Sequence, residues 1–377
     1  MGFKEKNTVC ISALGMATAL APTLYDSCAA MRAGITRMSE LSIVSLSDCE
    51  SLGPIPIAGC TARYIAPGFI GLAKALQLGS TALFDFQSRR SLNSEELQRT
   101  GIFVNVSDQF YADINFNVDI EQDRRLPSAV WEGQCRQLIS GLLRMNNMEI
   151  VPQNHRLYFG GHTGFVQAIE EAVSVISAGQ FDRCLVGGID SCIEPRFLIA
   201  AAAKGLLKTG MNPVGFIPGE AAAFVLLEHT EAIKSKEGSL AFLVGTSVIS
   251  NLSNRLSDGV PDGVALAQVI DQVVSGWDLS EKPLVSVVGD LNGDEYRARD
   301  WGNALTRLSA RHNFAEAVVL IPALAFGETG AASAAIGLCL GIVAQRRGRL
   351  PDGPIVEWLS ADSGSRAALH FSSTVVA

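Results

Sequence analysis

The stretch from Leu157 to Glu228 constrains the fold more than any other part of this chain. Leu157-Tyr158-Phe159 reads as a short apolar strand running into the tight turn Gly160-Gly161-His162-Thr163-Gly164. A helix opens there, because Phe165, Ile169, Ala172, Val173 and Ile176 recur at helical spacing, and Gly179 closes it. Cys184-Leu185-Val186 is a second buried strand ending in Gly187-Gly188, and Gly215-Phe216-Ile217-Pro218-Gly219-Glu220 leads into the strand Ala221 to Leu227. A polar residue at the apex of a glycine-flanked strand-to-helix turn has the geometry of a nucleophile elbow. The glycines permit the sharp backbone, and the helix N-terminus offers free N–H groups to a developing anion. The apex residue is His162. Taken alone, most such turns are only tight connections.

A chain of 377 residues can bury a large core, as two or three domains or one large double unit. Hydrophobic residues at 48% and charged residues at 18% mark a globular composition. A net charge of −8 argues against nucleic acid and anionic membranes as partners. It does not favour broad docking of an acidic carrier either. The eight cysteines form no Cys-x-x-Cys pair, and several sit in apolar runs. They read as buried free thiols in a reducing, cytoplasmic compartment. Met1 to Thr8 is too polar for a signal sequence. The apolar runs at 199–203 and 331–343 are shorter than the ~20 residues of a membrane span and read as core helices.

Elsewhere, strands are expected at Val9–Ser12, Gly101–Val106, Leu240–Ile249, Leu284–Val288, Ala317–Ile321, Val356–Leu359 and Ala367–Ser372. Helices are expected at Pro22–Arg32, Ile70–Leu83, Glu132–Met145, Pro261–Trp277, through Trp301 and Leu305, and at Ala331–Val343. Val106 to Trp131 reads as a surface excursion or a dimer element. Strands alternating with helices give an α/β class with mostly parallel sheets.

The elbow, Gly179, Gly187-Gly188 and Gly215-Phe216-Ile217-Pro218-Gly219-Glu220-Ala221-Ala222 together resemble the β-ketoacyl synthases of the thiolase superfamily, and Met31-Arg32-Ala33-Gly34 is similar to the end of that family's first helix. The resemblance implies a thiolase-like α/β fold of two similar halves, 1–235 and 236–377. Each half would have a central mixed sheet, in a layered α-β-α-β-α arrangement. It implies fatty-acid or polyketide type metabolism, a homodimer or a heterodimer with a synthase, and an acyl carrier protein or acyl-CoA as partner. It implies no cofactor and no metal.

Counting back from Gly187-Gly188 places the family's nucleophilic Cys at His162. That Cys carries the acyl chain, while two histidines, or in the third class a His and an Asn, polarise the thioester. Aligning on Val285–Val288 places Asp290 at one histidine, although a solvated Asn-Gly turn would carry it too. Gly327-Glu328-Thr329-Gly330-Ala331-Ala332-Ser333 is similar to the third class, with Glu328 in place of Asn; a Glu there also suits a helix N-terminus. The resemblance thus gives His162, Asp290 and Glu328 as catalytic positions sharing one pocket, and Gly161, Phe216, Gly327 and Ser363 as substrate-binding positions. Two nearby carboxylates would outweigh the helix end and favour a charged imidazole. The expected function is that of a synthase-like protein without ordinary Cys-dependent condensation, binding an acyl thioester or carrier protein or partnering a true synthase. The alternatives are acyl transfer or thioester hydrolysis by His162 with the two carboxylates, a metal held by the same three side chains, and a scaffold without ligand.

Overall fold

In a computed structural model the described residues are 9–373 apart from 42–45, 48–53, 109–125, 233–237, 251–253, 256–259, 276–285, 310, 313 and 315–316. Most of the 106–131 segment thus lies outside the described residues. Five strands come from the first half of the chain: β1 (Val9–Thr18), β2 (Thr100–Asn105), β3 (His155–Tyr158), β4 (Arg183–Ser191) and β5 (Glu220–His229). Five come from the second: β6 (Ala241–Ile249), β7 (Ser286–Gly289), β8 (Val318–Leu320), β9 (Ile355–Ser360) and β10 (Arg366–Ser372).

All ten join one sheet in the order β8-β7-β9-β10-β6-β1-β5-β4-β2-β3. Read outward from the centre, the two halves have the same connectivity. The second and third strands of each half pair in parallel, as do the second and fourth; the fourth and fifth are antiparallel, as are the fifth and first. The halves meet where β1 lies antiparallel to β6, with Cys10 opposite Phe242 and Ile11 opposite Ala241. The expectation of mostly parallel pairing is therefore corrected to a mixed sheet. One reason is visible at β9 and β10, where Ser360 faces Arg366 across a connection too short for a crossover.

Among the helices are α1 (Leu24–Arg32), α2 (Gly71–Gln87), α3 (Leu138–Met145), α4 (Gly164–Ser177), α5 (Pro195–Ala203), α6 (Val264–Val274), α7 (Glu295–Leu308) and α8 (Ser333–Arg346). Side chains alternating along the strands sort them into layers. Phe103 and Val186 face a central core shared with α4 and α8, whereas Ile102, Val104 and Leu185 face an outer core with α2 and α3. Val287, Val356 and Trp358 face a third core with α6 and α7. The order is α-β-α-β-α, with α4 and α8 in the middle.

The first strand, expected over Val9–Ser12, extends past Gly15 to Thr18. Pairing with β5 carries the strand through Gly15, where α2 crosses so closely that a Cβ would lie 2.3 Å from the Ala82 carbonyl oxygen. No helix among the described residues is long and apolar enough to cross a membrane. Seven of the cysteines are free, and six of these are buried.

Candidate active site

The turn after β3 places His162. Gly161 has φ +51°, open to glycine at little cost, and residues 161–163 form a short 3-10 turn before α4. The buried Asn105 side chain at the end of β2 holds the turn, donating from Nδ2 to the Gly161 carbonyl at 2.8 Å. A second bond from the same Nδ2 reaches the Ala331 carbonyl at 2.9 Å.

The Gly215–Glu220 turn positions Glu328. The Glu328 N–H donates to the Ile217 carbonyl at 2.7 Å, and its carbonyl accepts from the Gly219 N–H at 2.8 Å. Gly327 precedes it at φ +72°, and a Cβ on Gly219 would lie 2.0 Å from the Phe326 carbonyl oxygen, so both glycines serve this close approach. Asp290 follows β7 directly, and the Ser360 N–H donates to its Oδ2 at 3.0 Å.

These three side chains meet. His162 Nδ1 lies 3.0 Å from Asp290, and Nε2 lies 3.0 Å from Glu328 Oε1. Arg297, in the first turn of α7 and 1% exposed, completes the group: its Nη1 donates to Glu328 Oε2 at 3.0 Å. Glu328 also accepts from the Asn292 amide at 2.6 Å and the Gly330 N–H at 2.8 Å. Asp362 lies 3.4 Å from Arg297 Nη2 and 3.5 Å from Arg255, which forms a bidentate pair with Asp294.

Arg297 Nη2 also lies 3.0 Å from His162 Nε2. Only a neutral imidazole could accept that bond, and it could not then donate from Nε2 to Glu328. Charge balance decides between the two. Asp290, Glu328 and Asp362 face Arg297, and Arg255 reaches only Asp362, so a neutral His162 leaves Asp290 and Glu328 to one guanidinium. Burial and the neighbouring Arg297 oppose the imidazolium, but Asp290 and Glu328 outweigh them and lift the imidazole from 6.5 to about 10. Burial alone would raise Glu328, yet His162 and Arg297 hold it well below the usual carboxylate range.

The imidazole forms part of the wall of a cavity of about 550 Å³. Gly161, Phe216, Glu328 and Asp362 line it too, whereas Asp290 is not among the lining residues. Neither Gly327 nor Ser363 lines it: Gly327 borders a much smaller void on the other side of Glu328, and Ser363 is exposed. Cys192 is the one cysteine lining the cavity among the described residues. Burial pushes its thiol well above the ordinary value, and Asp190 and Glu328 add to the effect. It is no substitute for an activated thiolate.

Sequence reasoning missed Arg297, Asn292, Asp362 and Asn105. Arg297 had a readable signal. It stands in line with Trp301, Ala304 and Leu308 on the inward stripe of α7, and an arginine in an apolar stripe requires buried anions.

Residues 87–232, less than half of the chain, match the family model described as β-ketoacyl synthase, N-terminal domain. The matching stretch lies within a ketosynthase-like fold. No curated protein matches this ketosynthase-like chain in sequence. Among solved structures, a type II PKS acyl-carrier protein in complex with its ketosynthase is similar, at TM-score 0.75 and 14% identity over 98% of this chain and 100% of that one. The ishigamide ketosynthase/chain length factor is similar at TM-score 0.66 and 18% identity over 97% and 99% of the two chains. A β-ketoacyl synthase from Burkholderia phymatum is similar at TM-score 0.69 and 16% identity over 98% and 99%. At these identities the structural likeness concerns the fold of the ketosynthase-like chain and not its chemistry.

Proposed function

We propose that this ketosynthase-like protein does not condense acyl thioesters but holds an acyl chain, free or on a carrier protein, and works beside a Cys-containing synthase. The observation that carries the reading is the engagement of both ring nitrogens of His162 by carboxylates. A nucleophile or general base needs a lone pair near neutral pH, and an imidazolium held at about 10 has none to offer. The same observation disfavours thioester hydrolysis by His162. In this reading Asp290, Glu328 and Arg297 hold His162 as a charged floor beneath the cavity, and the cavity takes the chain.

Partnership is supported by the sheet edge. β3 is a terminal strand with half-buried side chains, so its outer backbone groups can extend the sheet into a second subunit. The similar structures include a carrier protein bound to its ketosynthase and a ketosynthase/chain length factor. A homodimer or a heterodimer through β3 would bury on the order of 2,000 Å² or more.

Purified protein incubated with malonyl and acyl thioesters, alone and with a Cys-containing synthase, separates the readings. The expected result is no decarboxylation, condensation or hydrolysis by the protein alone, with co-sedimentation as a dimer at micromolar concentration. Turnover by the protein alone would overturn the proposal, and a monomer in every mixture would remove the partnership.

A further inference from the structure

The charge of the cavity wall bears on what kind of chain enters it. The cavity has apolar walls from Ile70, Val106, Trp131, Ile189, Phe197 and Phe216. A volume of about 550 Å³ falls within the range of pre-formed small-molecule sites. Its charged groups are nearly all of one sign: Asp190, Glu194, Glu328 and Asp362 line it, and so does Asp108. The one cation lining it among the described side chains is His162, whose two N–H groups are directed at Asp290 and Glu328. Glu328 and Asp362 are answered by Arg297.

Asp190 and Glu194 are held differently. Asp190 accepts from the Ala331 N–H at 2.8 Å and from the Ser191 N–H at 2.8 Å. Glu194 accepts from the Gly71 N–H at 2.7 Å. Burial raises both carboxyls, Asp190 to about 7, and the backbone bonds oppose the rise; each bond uses one lone pair of about four, so both groups keep acceptor capacity toward the cavity. Lys74 acts on Glu194 through space but is itself paired with Glu220 at 2.9 Å.

We infer that the cavity takes a chain bearing a cationic amine and rejects the same chain bearing a carboxylate, with Asp190 and Glu194 as the groups that meet the amine and Trp131, Phe197 and Phe216 flanking the alkyl part. A carboxylate would be desolvated against carboxylates, whereas an ammonium would donate to them. This rests on the reading that the cavity holds a chain, and it adds which head group that chain carries. It also gives a second reason for the lack of condensation, since a malonyl carboxylate would meet like charge there.

Isothermal titration and native mass spectrometry at pH 7.5, with dodecylamine, dodecanol and dodecanoate below their micellar concentrations, test the inference. The expected order is amine, then alcohol, then carboxylate, with amine and carboxylate at least about tenfold apart. In Asp190→Asn and in Glu194→Gln the amine should lose affinity toward that of the alcohol, which itself should change little. If one variant fails to fold, the other carries the test. Carboxylate binding as tight as the amine would overturn the inference while leaving a chain-holding cavity in place. Amine affinity unchanged in both variants would overturn the assignment of the two residues. Binding of none of the three probes would overturn the chain-holding reading together with the inference.

Discussion

The two halves of the sheet each end in an elbow, and the elbows differ in what they carry. In the first, β3 leads to Gly161 at φ +51°, a 3-10 turn at Gly161–Thr163, and α4. In the second, β8 leads through Ala323–Phe326 to Gly330 at φ +52°, a 3-10 turn at Gly330–Ala332, and α8. His162 and Ala331 occupy matching places, and one amide, that of Asn105, donates to both turns. The backbone is the same while the cargo is a charged ring in one and a methyl group in the other. The elbow is therefore a property of glycine placement and sheet connectivity, not of the residue at its apex. That is why the fold survives when the apex residue changes.

The sharpest way to break the comparison is to remove the charge that only the first elbow needs. Replacing Arg297 by Met leaves Asp290 and Glu328 with His162 as their cation and Asp362 with Arg255. Loss of one partner from a buried ion group costs ~3–5 kcal/mol. Urea unfolding of Arg297→Met at pH 7 should show a loss of that size. A loss below ~1 kcal/mol would mean that the cluster is solvated or already neutral.

Alanine at the two elbow glycines tests whether the turns are equivalent. Gly330→Ala adds a Cβ 2.1 Å from Asp190 Oδ2, and Gly161→Ala adds one 2.8 Å from Asp108 Oδ2, both at positive φ. Strain of this kind costs ~1–3 kcal/mol. The second elbow should suffer more, because the clash is closer and Asp190 is held there by the Ala331 N–H. Equal losses in thermal unfolding would reduce the effect to backbone conformation alone.

The first elbow makes its own contribution to the pH dependence of stability. His162 is raised from 6.5 to about 10 in the folded protein. A group raised on folding gives its full stabilisation below its unfolded value and loses it as pH climbs to the folded one. Stability should thus decline between about pH 6.5 and 10. In His162→Gln that decline should flatten, as read from denaturation midpoints across the range. An unchanged slope would place the titration elsewhere.

How much of this was legible in the sequence differs between the elbows as well. The elbow at His162 was readable because a compact run of glycines fixes strand, turn and helix within a few residues. Glu328 was placed by its similar turn, and Asp290 by the strand before it. Their meeting depends on the sheet bringing β3, β7 and the Gly215–Glu220 turn together, which no local pattern records. The ten-stranded continuity rests on the two residue pairs between β1 and β6, too few to leave a periodic trace. Gly327 and Ser363 were assigned to the cavity by turn position. Gly327 proves to serve a backbone approach and Ser363 to face outward, with its neighbour Asp362 on the wall.

The smallest expected change comes from restoring a thiol to the first elbow. His162→Cys puts a sulfur where the resemblance places the family nucleophile, between Asp290 and Glu328 and beside Arg297. With the imidazolium gone, the two carboxylates share Arg297 with Asp362, so the local charge is net negative. A thiolate there is opposed by the carboxylates and favoured only by Arg297, and burial opposes it further. The side chains that would polarise a thioester carbonyl are acidic in this chain, and ionised carboxylates repel a developing oxyanion. The fold should persist, because the second elbow holds a small residue, Ala331, at the matching place. We expect the variant to show no malonyl-thioester decarboxylation above the unmodified protein, and slow labelling by thiol-directed reagents at pH 7 on intact-mass analysis. Rapid stoichiometric labelling together with decarboxylation would show that Asp290 and Glu328 can still act as the polarising pair, and that a single substitution separates this site from a condensing one.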